Sequence, residues 1–232
     1  MCRDSFHCTH GAHSRWAVPS NSSTSPLIFM NRNLHDDEPF GQFVKVWLAS
    51  NSERRKVMLE PMFPNFHHAG IEGVDESPPS GSVDHQVLTI CKRKAESVLE
   101  VNDFDIVIVS DTMISDPDDH SLSMGKPSDA VEAAMMLHRL SGRRHQVWSA
   151  TGIYFMEKWN FFCEVAVVEF PSFKDEVLAD LVQSNSWVGK AGGYDLHGAM
   201  GEHAQLVDGS ESVVLGIAQS AMDLLEHLSL AL

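Results

Sequence analysis

The run Phe104-Asp105-Ile106-Val107-Ile108-Val109-Ser110 constrains this chain more than any other stretch. Its apolar residues follow one another without a helical gap, and turn-forming residues stand on either side. It is far shorter than the ~20 apolar residues of a membrane helix, so it reads as a buried strand. An earlier segment, Phe43-Val44-Lys45-Val46-Trp47-Leu48-Ala49-Ser50, reads as a second one. Helical signals lie between and after them. Ser52 is placed to cap a helix running to about Met62, a helix covers roughly Val83 to Val101, and Ser128 caps one through Leu140 that stops at Gly142. Two further strands, near His145–Met156 and Phe161–Phe170, are joined by a turn over Glu157–Asn160. Ser172 with Asp175 opens another helix, and an amphipathic helix lies near Ala218–Leu230. Strands and helices interleave without strict repetition, which gives an α/β fold with a mixed sheet.

Residues 1–42 differ from the rest, being rich in Ser, Asn, His and Pro without sustained periodicity. They read as a poorly ordered extension ahead of a domain over 43–232, with Leu27-Ile28-Phe29-Met30 as a docking point. Arg3, Arg15 and Arg32 among serines faintly suggest an organellar leader, against which stand Asp4 and Asp36-Asp37-Glu38. Cys2, Cys8, His10 and His13 have no usual zinc spacing. Four cysteines in 232 residues make no disulfide framework and indicate a reducing, cytoplasmic compartment.

Acidic side chains outnumber basic ones 32 to 17, a formal net charge of −15. Such a balance excludes duplex nucleic acid as the main partner, since backbone binding needs a dense cationic surface. It does not exclude a small phosphate ligand, and the placement of the few cations points to one. Arg54 and Arg55 fall in the first turn of a helix, the end where the macrodipole favours anions and disfavours cations. An anion held by backbone N–H groups and guanidinium forks would account for them. Positions 87, 91, 94 and 98 share one helix face, which puts Lys94 on an apolar stripe with Val87, Cys91 and Val98. A buried ammonium needs an anionic partner, either a carboxylate of the protein or a ligand phosphate. Asp111 is expected where the buried strand emerges, the usual place for site residues in open α/β sheets. Asp75-Glu76 adds carboxylates in the loop before the second helix, and hard oxygen ligands beside phosphate-binding cations suit magnesium. Gly125-Lys126-Pro127-Ser128 is not a Walker loop, and no H-E-x-x-H or G-x-S-x-G occurs.

Seven segments in order carry a resemblance. They are Leu48-Ala49-Ser50-Asn51-Ser52-Glu53-Arg54-Arg55, Val74-Asp75-Glu76-Ser77-Pro78, Lys92-Arg93-Lys94-Ala95, Ser110-Asp111-Thr112, Gly125-Lys126-Pro127, Leu140-Ser141-Gly142-Arg143-Arg144-His145 and Lys190-Ala191-Gly192-Gly193-Tyr194-Asp195-Leu196-His197-Gly198. From about Val44 to Leu225 the chain resembles the Maf family of nucleoside triphosphate pyrophosphatases. The resemblance implies the fold of inosine triphosphate pyrophosphatases, an elongated mixed sheet flanked by helices in two lobes with a nucleotide cleft between them, commonly as a homodimer. It also implies cleavage between the α and β phosphates with a divalent metal, here Mg2+. Asp111 would then be the general base and, with Glu76, a metal ligand. Ser50, Arg54, Arg55, Lys94 and Lys126 would bind phosphates. Arg54 and Thr112 match the pattern for dTTP and UTP, whereas His197 stands where that group has glutamine. Glu53 replaces a common proline. Two alternatives remain open at this stage: a pyrophosphatase for deaminated purine triphosphates, or a nucleotide-binding regulator of cell division without turnover.

Overall fold

The structure, a computed structural model, describes residues 44–231 apart from Glu100. The readings of residues 1–42 and of Phe43 therefore fall outside the described residues. Seven strands form one sheet: β1 (Val46–Leu48), β2 (His67–His68), β3 (Ile106–Ser115), β4 (Ser123–Met124), β5 (Arg144–Phe155), β6 (Lys158–Glu169) and β7 (Gln205–Asp208). The order is β2-β1-β3-β5-β6-β7, with β4 pairing the end of β3. β1 runs parallel to β2 and β3, while β3, β5, β6 and β7 are successively antiparallel, so the sheet is mixed as expected. The described residues also form six helices: α1 (Glu53–Leu59), α2 (Val83–Glu96), α3 (Ala130–Leu140), α4 (Asp175–Gln183), α5 (Glu211–Leu215) and α6 (Gln219–Ala231). Among the described residues, none is long and apolar enough to cross a membrane.

β3 organises the core, because successive side chains of a strand point to opposite faces. Ile106 and Ile108 pack with Leu48, Leu59, Ile217 and Leu225 on one face. Val107 and Val109 pack with Val87, Ile90 and Cys91 of α2 on the other. Beyond them, Ile114 joins a third cluster with Leu137 and Leu140 of α3, Val168 and Phe170. The molecule thus has two apolar layers at one end of the long strands and a separate apolar mass at the other.

Several boundaries differ from the sequence reading. β3 continues to Ser115, and Asp111 is its sixth residue rather than its exit. The polar triplet Ser110-Asp111-Thr112 looked like a strand end, but these side chains find partners inside the fold. α2 ends at Glu96, and a single 3-10 turn covers Val101–Asp103. Asp129, not Ser128, caps α3: its Oδ1 accepts from Glu132 N at 2.8 Å, while Ser128 N and Oγ both donate to Glu132 Oε2 at 2.7 Å. That is a capping box displaced by one residue. Lys174 rather than Ser172 precedes α4. The β5–β6 turn is the two-residue pair Met156-Glu157, with φ of 52° and 60°. Positive φ at both positions suits the strand twist but is uncommon without Asn or Gly, so the sequence offered no signal for it.

Candidate functional site

The site arises from a gap in hydrogen bonding along one edge of β3. On that side β1 pairs with β3 only through Ile108, and β4 begins only at Ile114. The intervening residues have no strand neighbour there, although β5 pairs with all of them on the other side. An unpaired strand edge needs donors from elsewhere. Two cationic side chains supply them: Arg55 Nη1 donates to Ser110 O at 3.1 Å, and Lys94 Nζ lies 3.4 Å from the same oxygen.

Arg55 enters from the α6 side. Its Nε donates to Gly216 O (2.8 Å), Nη1 also to Ser50 Oγ (3.0 Å), and Nη2 to Thr112 Oγ1 (3.0 Å). Four hydrogen bonds to protein oxygens thus occupy most of the five N–H groups of the guanidinium. Burial lowers its pKa to about 10, against the opposing pull of Asp111. The glycine at 216 is required twice over: φ is 114°, and a Cβ there would stand 2.9 Å from Arg55 Nε. Ser110 Oγ donates to that same Gly216 O (2.6 Å), Thr112 Oγ1 pairs with Ser149 Oγ (2.8 Å), and Thr151 Oγ1 accepts from Ala218 N (3.0 Å). A polar seam therefore ties the middle of β3 and β5 to the α5–α6 junction.

Asp111 faces the other way, toward α2. Lys94 reaches it along the apolar stripe, which is buried at Val87, Cys91 and Val98 as the spacing required. Lys94 Nζ is 2.7 Å from Asp111 Oδ1 and 2.9 Å from Glu76 Oε1. Of the two partners open to this ammonium, the structure supplies protein carboxylates, and two of them. Burial pushes the Glu76 pKa up, but Lys94, then Lys126 and Arg55, outweigh it and hold the carboxyl below its ordinary value. Cys91 lies beside this pair with its thiol pushed up to about 12, chiefly by burial, so it is no nucleophile at neutral pH.

Because the edge is open, residues from both faces of the sheet meet around it. Ser50, Arg54, Arg55, Glu76, Lys94, Asp111, Thr112 and Lys126 all line one cavity of about 470 Å³. His197 is not among the lining residues; it is exposed, with Nε2 against Glu211 Oε1. Three charged residues that the sequence reading left without a role line the cavity instead, Glu53, Lys190 and Asp195. The signal for Asp195 was present: a lone acid five residues after a lysine, in a glycine-rich stretch.

Asp111 and Glu76 present hard oxygen donors that already converge on one cation, so their chemistry suits a divalent metal completed by phosphate oxygens and water. No group of three or more metal-ligating side chains occurs among the described residues. The protein's own share of such a site would be these two carboxylates.

Similar chains include the dTTP/UTP pyrophosphatases of Bacillus velezensis (31% identical over 170 residues, 73% of this chain and 88% of the relative), Bacillus cereus (32% over 173 residues, 75% and 89%) and Burkholderia pseudomallei (31% over 185 residues, 74% and 87%). Among solved structures, the Ham1 protein of Staphylococcus aureus superposes with a TM-score of 0.45 at 16% identity, over 81% of this chain and 98% of that one. The profile of the Maf-like protein family matches residues 45–228, which spans the cavity and every segment that builds it; the chain belongs to that family.

Proposed function

We propose that this chain is a nucleoside triphosphate pyrophosphatase that hydrolyses dTTP and UTP between the α and β phosphates, releasing the monophosphate and pyrophosphate. The observation that carries this reading is the Lys94-bridged pair of Asp111 and Glu76, set in a cavity whose other charged walls are largely cationic. The similarity to dTTP/UTP pyrophosphatases supports the choice of substrate.

Water attacks the α phosphorus, the P–O bond to the β phosphate breaks, and pyrophosphate leaves. Asp111 is the base. Its Oδ1 is fixed on Lys94, and Oδ2 accepts no hydrogen bond among the described residues, which leaves it for the water. Lys94 and Lys126, with Ser50, bind the phosphate oxygens, where charge grows on the leaving group. Arg55 holds Ser50 and Thr112 in position. Glu76 and Asp111 would hold a divalent cation such as Mg2+, which would supply further charge neutralisation. With the leaving group's charge bound, no covalent intermediate is needed.

The direct test is pyrophosphate release from dTTP or UTP with Mg2+. Asp111→Asn keeps the size of the side chain and removes the base; it should lower kcat by about 100-fold or more. Absence of turnover by the wild type across all common triphosphates would overturn the reading.

A further inference from the structure

Four acids line the cavity, Glu53, Glu76, Asp111 and Asp195; Glu76 and Asp111 share Lys94, whereas Asp195 stands between Arg54 and Lys190. The Asp195 side chain is only 14% exposed, and Oδ1 is fixed by the backbone N–H of His197 at 3.2 Å. Arg54 Nη1 lies 4.0 Å from Oδ1 and Lys190 Nζ 3.4 Å from Oδ2. Both distances exceed the ~2.8 Å of a formed charge-assisted bond. The two cations flank the carboxylate without closing on it, and all three line the cavity.

The row reads donor, acceptor, donor. A carboxylate would repel phosphates, so this wall suits the uncharged end of a nucleotide. Uracil and thymine present an imide edge of carbonyl, N3–H and carbonyl: acceptor, donor, acceptor. Cytosine presents acceptor, acceptor, donor, and guanine acceptor, donor, donor. Of these edges, the imide alone matches the row at all three places. His197, one residue beyond Leu196 in the same segment, faces Glu211 rather than the cavity, so in this chain it leaves base reading to another group. We infer that Asp195 is the specificity-determining residue, accepting N3–H of uracil or thymine while Arg54 and Lys190 donate to the flanking carbonyls. This rests on the proposed triphosphate cleavage and deepens it.

The experiment compares kcat/KM for UTP, N3-methyl-UTP and CTP in the wild type, Asp195→Ala and Asp195→Asn, with UMP and CMP binding by calorimetry for each. N3-methylation removes the one hydrogen that Asp195 accepts. The wild type should favour UTP over both analogues by roughly 100-fold, because a site built to pair a polar group rejects a base that lacks it. Asp195→Ala, which also makes room for the methyl group, should reduce UTP turnover and collapse both ratios. A carboxylate with only a structural role would lower all three substrates together and leave the ratios standing, which overturns the inference. Wild-type turnover without preference among the three also overturns it while leaving the pyrophosphatase reading intact. If the wild type turns over nothing, that reading fails, and the calorimetric UMP:CMP preference with its loss in Asp195→Ala still decides the role of Asp195.

Discussion

Arg54 and Arg55 are neighbours in sequence, yet their side chains meet different surroundings, and lysine substitution separates the two. Arg55 gives four hydrogen bonds to Gly216 O, Ser50 Oγ, Ser110 O and Thr112 Oγ1. Lysine carries its donors on a single atom and cannot span acceptors that a planar fork bridges. Each acceptor keeps another neighbour: Ser110 Oγ on Gly216, Ser52 N on Ser50, Lys94 at Ser110 O, and Ser149 on Thr112. No oxygen is therefore orphaned, and the loss is that of about two bonds from a charged group at ~1.5 kcal/mol each. Arg55→Lys should thus cost about 3 kcal/mol, or roughly 6–12 °C in Tm for a chain of this size. Arg54 makes no hydrogen bond to the protein among the described residues and lies 4.0 Å from Asp195, so Arg54→Lys should stay within about 0.5 kcal/mol of the wild type. Urea titrations of the three proteins, each with its own m-value, measure this. Equal stability of both variants would refute a bridging role for Arg55 and return it to the ligand-binding residues.

Two other measurements follow from buried polar groups. His145 lies in the far core with Nε2 3.0 Å from the Tyr194 hydroxyl, and burial lowers its pKa from about 6.5 to about 4. The unfolded chain binds a proton that the folded one refuses, so this contribution is complete above pH 6.5 and declines by up to about 3 kcal/mol as pH falls toward 4. Stability measured against pH should lose that segment in His145→Gln, and identical pH profiles of the two proteins would contradict it. Lys94→Met removes the ammonium shared by Asp111 and Glu76 and leaves the buried Asp111 carboxylate without its nearest counter-charge; denaturant titration at pH 7 should show a loss of about 3 kcal/mol.

What could be read in advance was whatever depended on periodicity. Ile106–Val109 fixed the central strand, and the spacing of Val87, Cys91, Lys94 and Val98 fixed which way Lys94 points. Such patterns are local and survive folding. The continuation of β3 past Asp111 was hidden because polar residues in a strand usually mark its end. Here Ser110 and Thr112 are satisfied by Gly216, Arg55 and Ser149, partners 37 to 106 residues distant. Arg55's destination was hidden for the same reason: its place in the sequence showed a cation at a helix start, while the oxygens it serves lie on other elements. The short pairs β2 and β4 carry too few residues to show a period at all.

The open stretch of β3 connects these observations to function. Had β1 been longer, or β4 begun earlier, Val109 to Met113 would have been paired and covered, and no cavity would reach Asp111. The shortfall leaves backbone oxygens that must be satisfied, and Arg55 and Lys94 satisfy Ser110 O in the absence of any substrate. The cost of bringing positive charge together is thereby met by folding rather than by ligand binding. Donors fixed before substrate arrives need no reorganisation when charge moves to the leaving group, which is the condition under which they lower a barrier most. On the proposed reading, that local arrangement would let a triphosphate bind to a chain whose net charge of −15 would otherwise repel it.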